Sequence, residues 1–213
     1  MSTINIFGST GTIGKKTLNL INSFFPKIKI NLLTANTNYK LLANQAIKYN
    51  SKYICIKDNL KKKLLKKLIS KKNIKIIDHS DLKNFLLENK SDMSILSISG
   101  NYALEYLEPI IKSTSYLGLV NKECIVSAGF LLRDLCKNNS TKLFCIDSEH
   151  YSLQNFFDKL ANHNYKEINN IFLTASGGPF LHKNQNFLSK VTFNQTIKHP
   201  KWKMGIKNSI DSA

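Results

Sequence analysis

Short apolar runs alternate with longer amphipathic stretches along most of the chain. Ile4-Asn5-Ile6-Phe7 reads as a strand, and Ile28 to Thr34 as a second. Tyr53–Ile56, Ile74–Ile77, Met93–Ile98, Tyr116–Val120 and Leu143–Ile146 follow as further strands, apolar and too short for helices. Between them, apolar residues recur at helical spacing. Lys16 to Ile21 lies in one such stretch, which Pro26 ends, and Leu41 to Tyr49 forms another. Leu60 to Ser70 carries Leu60, Leu64, Leu65 and Leu68 on one face and a solvated lysine face opposite. Ser80 or Asp81 caps a helix ending near Glu88, Leu104–Ile111 is helical with Pro109 bending or ending it, and Ile125–Cys136 is helical. Repeated β–α pairs of this length predict an α/β fold, a doubly wound and mostly parallel sheet with helices on both faces.

The pattern changes after His150. Tyr151 to Ala161 reads as a helix, Ile168 to Thr174 as a strand, and Thr192 with Gln195 as a capping box. The tail from His199 to Ala213 has little periodicity of either kind and holds the only Trp. The expected division is residues 1–147 for the sheet domain and 148–213 for the start of an α+β domain.

Four strand ends carry candidate chemistry. Gly8-Ser9-Thr10-Gly11-Thr12-Ile13-Gly14 joins the first strand to the first helix, where glycines let the backbone approach a pyrophosphate at a helix N-terminus. A tight turn without a ligand would look similar. The second strand ends in Ala35-Asn36-Thr37-Asn38, with no acid and with Lys40 nearby. A carboxylate there would hold a ribose 2′-hydroxyl and repel a 2′-phosphate, so its absence favours NADP over NAD. Val120 runs into Asn121-Lys122-Glu123, where a lysine can reach a phosphate or a substrate oxygen. The last strand runs into Asp147-Ser148-Glu149-His150. In an extended chain Asp147 and Glu149 share one side, as oxygen ligands suited to Mg²⁺ or Mn²⁺. A solvated acidic turn, or Ser148 capping the next helix, is the other reading. Later, Ser176-Gly177-Gly178-Pro179 offers a hydroxyl and open N–H groups, either a phosphate nest or a plain turn.

Composition narrows the partners. The formal net charge is +17, yet Arg133 is the only arginine. Base-reading surfaces favour the arginine fork, so a phosphate-bearing small molecule suits this charge better than nucleic acid. Cys55, Cys124, Cys136 and Cys145 form no C-x-x-C pair and read as buried thiols of a reducing cytosol. No leader pattern precedes the first strand and no apolar run reaches membrane-spanning length, so a cytoplasmic protein is expected.

The motifs GSTGTIG (8–14), NKE (121–123), DSEH (147–150), SGGPF (176–180) and the tail HPKWKMGIKNSIDSA occur in one order. In this the chain closely resembles the N-terminal portion of the 1-deoxy-D-xylulose 5-phosphate reductoisomerase family. The resemblance implies a Rossmann-like NADPH-binding domain followed by part of a catalytic domain. It implies that Thr10, Gly11, Thr12 and Ile13 hold the NADPH pyrophosphate region, that Asn36, Thr37 and Asn38 lie by the adenosine ribose, and that Asn121, Glu123 and Gly205 also touch NADPH. Lys122, Ser148, Ser176, His199 and Ser212 would bind the phosphorylated substrate. Asp147 and Glu149 would ligate Mg²⁺ or Mn²⁺ and, with Lys122, serve catalysis, while Trp202 and Met204 would sit on a lid. Where Asn36 and Thr37 stand, the family often has Gly and Lys. The family continues past this tail with an Asn-Lys pair for substrate and a Glu as third metal ligand, and the full-length enzyme is expected to be a homodimer.

Overall fold

Ile4 pairs with Ile30 on one side and with Met93 on the other, which puts the first strand at the centre of the sheet. In the computed structural model, residues 2–159, 168–174, 177–201 and 206–213 are described, without the side chains of 207 and 208. Seven strands form one sheet: β1 (Thr3–Phe7), β2 (Lys29–Ala35), β3 (Tyr53–Ile56), β4 (Lys75–Ile77), β5 (Ser91–Leu96), β6 (Thr114–Leu119) and β7 (Lys142–Cys145). All pairings are parallel, in the order β4-β3-β2-β1-β5-β6-β7. The connection from β4 to β5 crosses from one side of β1 to the other, so a topological switch point lies at β1 and β5.

Seven helices follow in turn: α1 (Thr12–Phe24), α2 (Tyr39–Lys48), α3 (Asn59–Leu68), α4 (Leu82–Glu88), α5 (Leu104–Lys112), α6 (Lys122–Asn138) and α7 (Ser148–Lys159). Alternation along each strand builds the two cores. Ile4, Ile6, Leu33, Ile54 and Ile56 point to the face covered by α1, α2 and α3, through Leu18, Leu42 and Leu65. Phe7, Leu32, Tyr53, Cys55 and Leu119 point to the other face, covered by Leu86 of α4, Ile110 of α5 and Leu132 of α6. Pro109 lies inside α5 and does not end it.

β7 is an edge strand, and α7 covers part of its open backbone. Gln154 accepts from the Cys145 N–H at 3.0 Å and donates to the Leu143 carbonyl at 3.1 Å. One amide side chain thus satisfies a donor and an acceptor that no described strand pairs.

The chain divides into two compact units, residues 1–161 and 162–213. Among its described residues, the second unit holds three short helices, α8 (Gln185–Leu188), α9 (Phe193–Thr196) and α10 (Ile206–Asp211). Thr192 and Gln195 form the expected capping box at α9. The expected strand over 168–174 is not formed. Ile171, Phe172 and Leu173 stand exposed, Phe172 at 88%, where a strand of this composition would need one face covered.

Candidate functional site

A crevice of about 470 Å³ opens at the carboxyl ends of β1, β2, β3 and β5, lined by Gly8, Thr10, Gly11, Asn36, Lys57, His79 and Ser97 among others. Ligands of open parallel sheets bind outside the strand ends at such a switch point. Gly8 turns the chain with φ +80°, and a Cβ there would lie 2.8 Å from the Ser97 carbonyl oxygen. A Cβ at Gly14 would lie 2.5 Å from the Gly8 carbonyl oxygen, whereas one at Gly11 would stay 3.2 Å away. Backbone packing therefore demands glycine at the two ends of the loop, and the middle glycine keeps its surface open to the crevice.

Polar side chains from distant segments pin this loop. The Gly8 N–H donates to Thr34 Oγ1 at 3.1 Å, and the Ser97 hydroxyl donates to the Phe7 carbonyl at 2.7 Å. The buried Ser9 hydroxyl donates to Gln45 Oε1 at 2.8 Å, and Gln45 Nε2 returns a bond to the Ser9 carbonyl at 2.9 Å. Thr34, Gln45 and Ser97 were not singled out in the sequence. The available signal was a polar residue interrupting an apolar face, as Gln45 does between Leu42, Ala43 and Ala46. Gly11 stands at the N-cap of α1 with no side-chain cap, and no acid lies in the first turn. Thr12 and Ile13 open that helix, so its N–H groups and positive dipole end suit a phosphate group.

Asn36, Thr37 and Asn38 follow β2 and are exposed. Asn36 lines the crevice, while Asn38 caps α2 by accepting from the Leu41 N–H at 3.1 Å. At the back, the His79 ring nitrogen lies 2.5 Å from the Tyr106 hydroxyl. Burial first and the Lys57 charge second hold the imidazole below its ordinary pKa. Burial, aided by Glu105, pushes the Tyr106 hydroxyl up to about 12.

Asn121 ties the crevice to the second group of candidates. Its Oδ1 accepts from the Cys124 N–H at 2.9 Å, capping α6, and its Nδ2 donates to the carbonyls of Ile98 and Gly100 at 2.7 and 2.8 Å. This cap starts α6 at Lys122, three residues before the apolar pattern, and places Lys122 and Glu123 in its first turn.

The acidic stretch departs from the extended geometry expected of it. The chain turns into α7 at Ser148, because Asp147 acts as the cap: its Oδ1 accepts from the His150 N–H at 3.0 Å and lies 2.8 Å from His150 Nδ1. Strand alternation therefore does not place Asp147 and Glu149, and the helix begins before Tyr151. Asp147 Oδ2 is buried and has no hydrogen-bond partner among the described residues. The Ser148 hydroxyl donates to Glu149 Oε2 at 2.7 Å. That bond first, and the Lys122 and His150 charges to a smaller extent, hold the Glu149 carboxyl below its ordinary pKa. Lys122, Ser148 and both carboxylates thus gather at the ends of β6 and β7. An orphaned carboxylate oxygen beside an ionised carboxylate fits a hard divalent cation such as Mg²⁺ or Mn²⁺. Among the described residues no group of three or more His, Cys, Asp or Glu side chains could hold a metal ion.

In the second unit, Gly177 and Gly178 adopt φ +83° and +57°, and a Cβ on Gly178 would strike the Ser212 backbone. The glycine turn and Ser212 therefore pack together. The Ser212 hydroxyl donates to the Ser209 carbonyl at 3.0 Å, and His199 Nδ1 accepts from the Lys201 N–H at 3.1 Å. Ser176, Trp202, Met204 and Gly205 lie outside the described residues.

A glycine turn at the end of the central strand, opening an uncapped helix onto a switch-point crevice, defines a Rossmann-like domain of the dinucleotide-binding class. The chain belongs to the 1-deoxy-D-xylulose 5-phosphate reductoisomerase family, whose model matches residues 4–129 and whose C-terminal domain model matches residues 143–213. It is 40% identical over 215 residues to the reductoisomerase of Wolbachia pipientis subsp. Culex pipiens (strain wPip), covering 100% of this chain and 54% of the relative. It is 37% identical over 213 residues to that of Thermoanaerobacter sp. (strain X514), covering 100% of this chain and 55% of the relative. The Zymomonas mobilis reductoisomerase in complex with NADPH superposes with a TM-score of 0.85 at 32% identity, covering 100% of this chain and 54% of that one. A DOX-P reductoisomerase in complex with NADPH, fosmidomycin and magnesium superposes with a TM-score of 0.83 at 26% identity, with the same coverage. The chain spans about half the length of the curated relatives it matches.

Proposed function

We propose that this chain supplies the NADPH-binding domain and part of the metal- and substrate-binding domain of an enzyme converting 1-deoxy-D-xylulose 5-phosphate to 2-C-methyl-D-erythritol 4-phosphate. Residues 1–147 form the cofactor domain in this reading, and residues 148–213 begin the catalytic one. The observation that carries it is Asp147 Oδ2, a buried carboxylate oxygen without a partner among the described residues, two positions before Glu149. A buried polar atom in that state costs stability unless a ligand completes it.

Each residue then has a task. Thr10, Gly11, Thr12 and Ile13 receive the NADPH pyrophosphate at the α1 N-terminus, and Asn36, Thr37 and Asn38 border the ribose. Asn121 fixes the loop over 98–100 against the crevice, with Glu123 and Gly205 as further cofactor contacts. Asp147 and Glu149 hold Mg²⁺ or Mn²⁺, Lys122 and Ser148 orient the substrate beside them, and Ser176, His199 and Ser212 bind its phosphate end. When bound, the divalent ion polarises the substrate's oxygens and NADPH supplies hydride. The protein's own work is positioning and exclusion of water.

Among the described residues no helix is long and apolar enough to cross a membrane. We place the enzyme in the cytoplasm, as a homodimer at full length, and assign its positive charge to phosphorylated small molecules. The test uses this chain joined to the segments that complete its relatives. NADPH oxidation should depend on 1-deoxy-D-xylulose 5-phosphate and Mn²⁺, and the Asp147→Asn variant should lose it. Undiminished turnover by that variant would overturn the assignment.

A further inference from the structure

We propose that Lys57 is the residue that reads the 2′-phosphate of the cofactor, a specificity role that rests on the NADPH reading above. In a doubly wound sheet the adenosine ribose lies at the end of the second strand. Here that end is Ala35-Asn36, which carries neither an acid nor a base. The charge comes from the neighbouring strand. The Lys57 N–H donates to the Ala35 carbonyl and the Asp58 N–H to the Asn36 carbonyl, both at 3.0 Å. Lys57 therefore stands beside Ala35 and Asn36, and it lines the same crevice as Asn36 and Gly11.

The surroundings leave Lys57 able to take an anion. Its ammonium lies 3.7 Å from Glu105 Oε2 and 5.3 Å from the centre of the Tyr102 ring, with the side chain 41% exposed. Glu105 also has the Lys83 ammonium at 3.8 Å, so it keeps a cation when Lys57 turns to a ligand. A loose contact of this kind is weak next to a charge-assisted bond to a phosphate dianion. The nearest acid in sequence, Asp58, is engaged elsewhere: its Oδ1 caps α3 by accepting from the N–H groups of Leu60 and Lys61 at 2.9 and 3.1 Å. Lys40, which follows β2 more closely, stands exposed in the first turn of α2 and does not line the crevice.

The test titrates NADPH and NADH against the 213-residue chain and its variants by nicotinamide fluorescence. Lys57→Ala should weaken NADPH binding by about tenfold or more and leave NADH binding unchanged. Lys57→Arg should restore most of the preference, and Lys40→Ala should change neither affinity. Lys57→Gln, which keeps a stem over Tyr102, gives the same readout should the alanine variant melt early. A preference for NADPH that survives loss of Lys57, or an equal loss for both dinucleotides, overturns the proposal. Equal affinities in the unmodified chain overturn it too, while leaving the dinucleotide reading intact. An unmodified chain that binds neither overturns that reading, and this proposal with it.

Discussion

Asp147 holds His150 twice through one oxygen: Oδ1 meets both the His150 backbone N–H and its Nδ1, while Oδ2 stays buried with no partner among the described residues. One oxygen of this carboxylate caps a helix, and the other is the one proposed above to meet a cation.

That division is testable. Asp147→Asn keeps an oxygen to cap α7 but replaces the other oxygen by an amide nitrogen, which cannot ligate a cation. It should lose Mn²⁺ binding by calorimetry and melt no lower than the unmodified chain. Asp147→Ala should lose the metal and the cap together, and drop stability by about 1 kcal/mol. Equal stability losses in the two variants would contradict the division.

The glycine loop should separate in the same way. Gly8→Ala forces a side chain into φ +80° and against the Ser97 carbonyl, and should destabilise the domain by at least about 2 kcal/mol in urea titration. At Gly11 a Cβ meets only the Gly8 carbonyl, at 3.2 Å, so the fold should survive Gly11→Val. Its side chain projects at the uncapped α1 N-terminus, and NADPH binding should be lost. Unfolding of both variants alike would remove the distinction.

Asn121 should prove a positioning residue as much as a contact. Asn121→Asp retains an oxygen for the α6 cap but removes both donors to Ile98 and Gly100, and sets a charge against their carbonyls. A stability loss of about 2 kcal/mol or more is expected, with weaker NADPH binding because the crevice wall moves. Hydrogen exchange should quicken over 98–103 first. Unchanged exchange there would leave Asn121 with only the cap.

The sheet was legible because its strands are apolar and bounded by turns. Tyr53–Ile56 forms over the expected residues. Strand starts were less visible where they are polar: β5 begins at Ser91, before the expected Met93, and Asp92 there accepts from the Thr3 N–H and hydroxyl at 2.8 and 2.9 Å. Counting apolar residues cannot find a bond between segments so far apart. The same limit hid Thr34, Gln45 and Ser97 behind the glycine turn, which was itself plain from its spacing. Helix starts were set by single caps, Asn121 and Asp147, rather than by the apolar period. That is why α6 and α7 begin earlier than the pattern suggests.

Alkaline pH should weaken the fold through Cys55. Burial pushes this thiol from 9.0 to about 12, against a small opposing pull from Lys62. The unfolded thiol ionises near 9 while the folded one stays neutral, so the unfolded state releases its proton first. Stability is then full below pH 9 and falls as pH rises from 9 towards 12. Urea midpoints across that window should fall less in Cys55→Ala than in the unmodified chain, after allowing for the constant cost of the smaller side chain. Parallel curves would show that Cys55 does not carry the effect.

The 213-residue polypeptide by itself should bind NADPH and turn over no substrate. The crevice, the glycine loop and Lys57 all belong to the first compact unit, which contains the whole seven-stranded sheet. Of the cofactor contacts proposed above, all but Gly205 fall within residues 1–161, so cofactor binding should survive. Turnover needs more, because the described residues present two carboxylates for the cation and no group of three ligands. A cation held by two side chains keeps more of its water and less of its geometry. Misplacing a reacting group by about 1 Å can cost roughly 100-fold in rate. The check runs NADPH binding and NADPH oxidation in parallel, with 1-deoxy-D-xylulose 5-phosphate and Mn²⁺. One sample is this polypeptide, and the other is a version extended through the segments found in its relatives. Binding should match between the two within a few-fold, while oxidation should appear only in the extended version. Comparable turnover by both would mean that Asp147 and Glu149 suffice for the cation, and the requirement for a third ligand would fall.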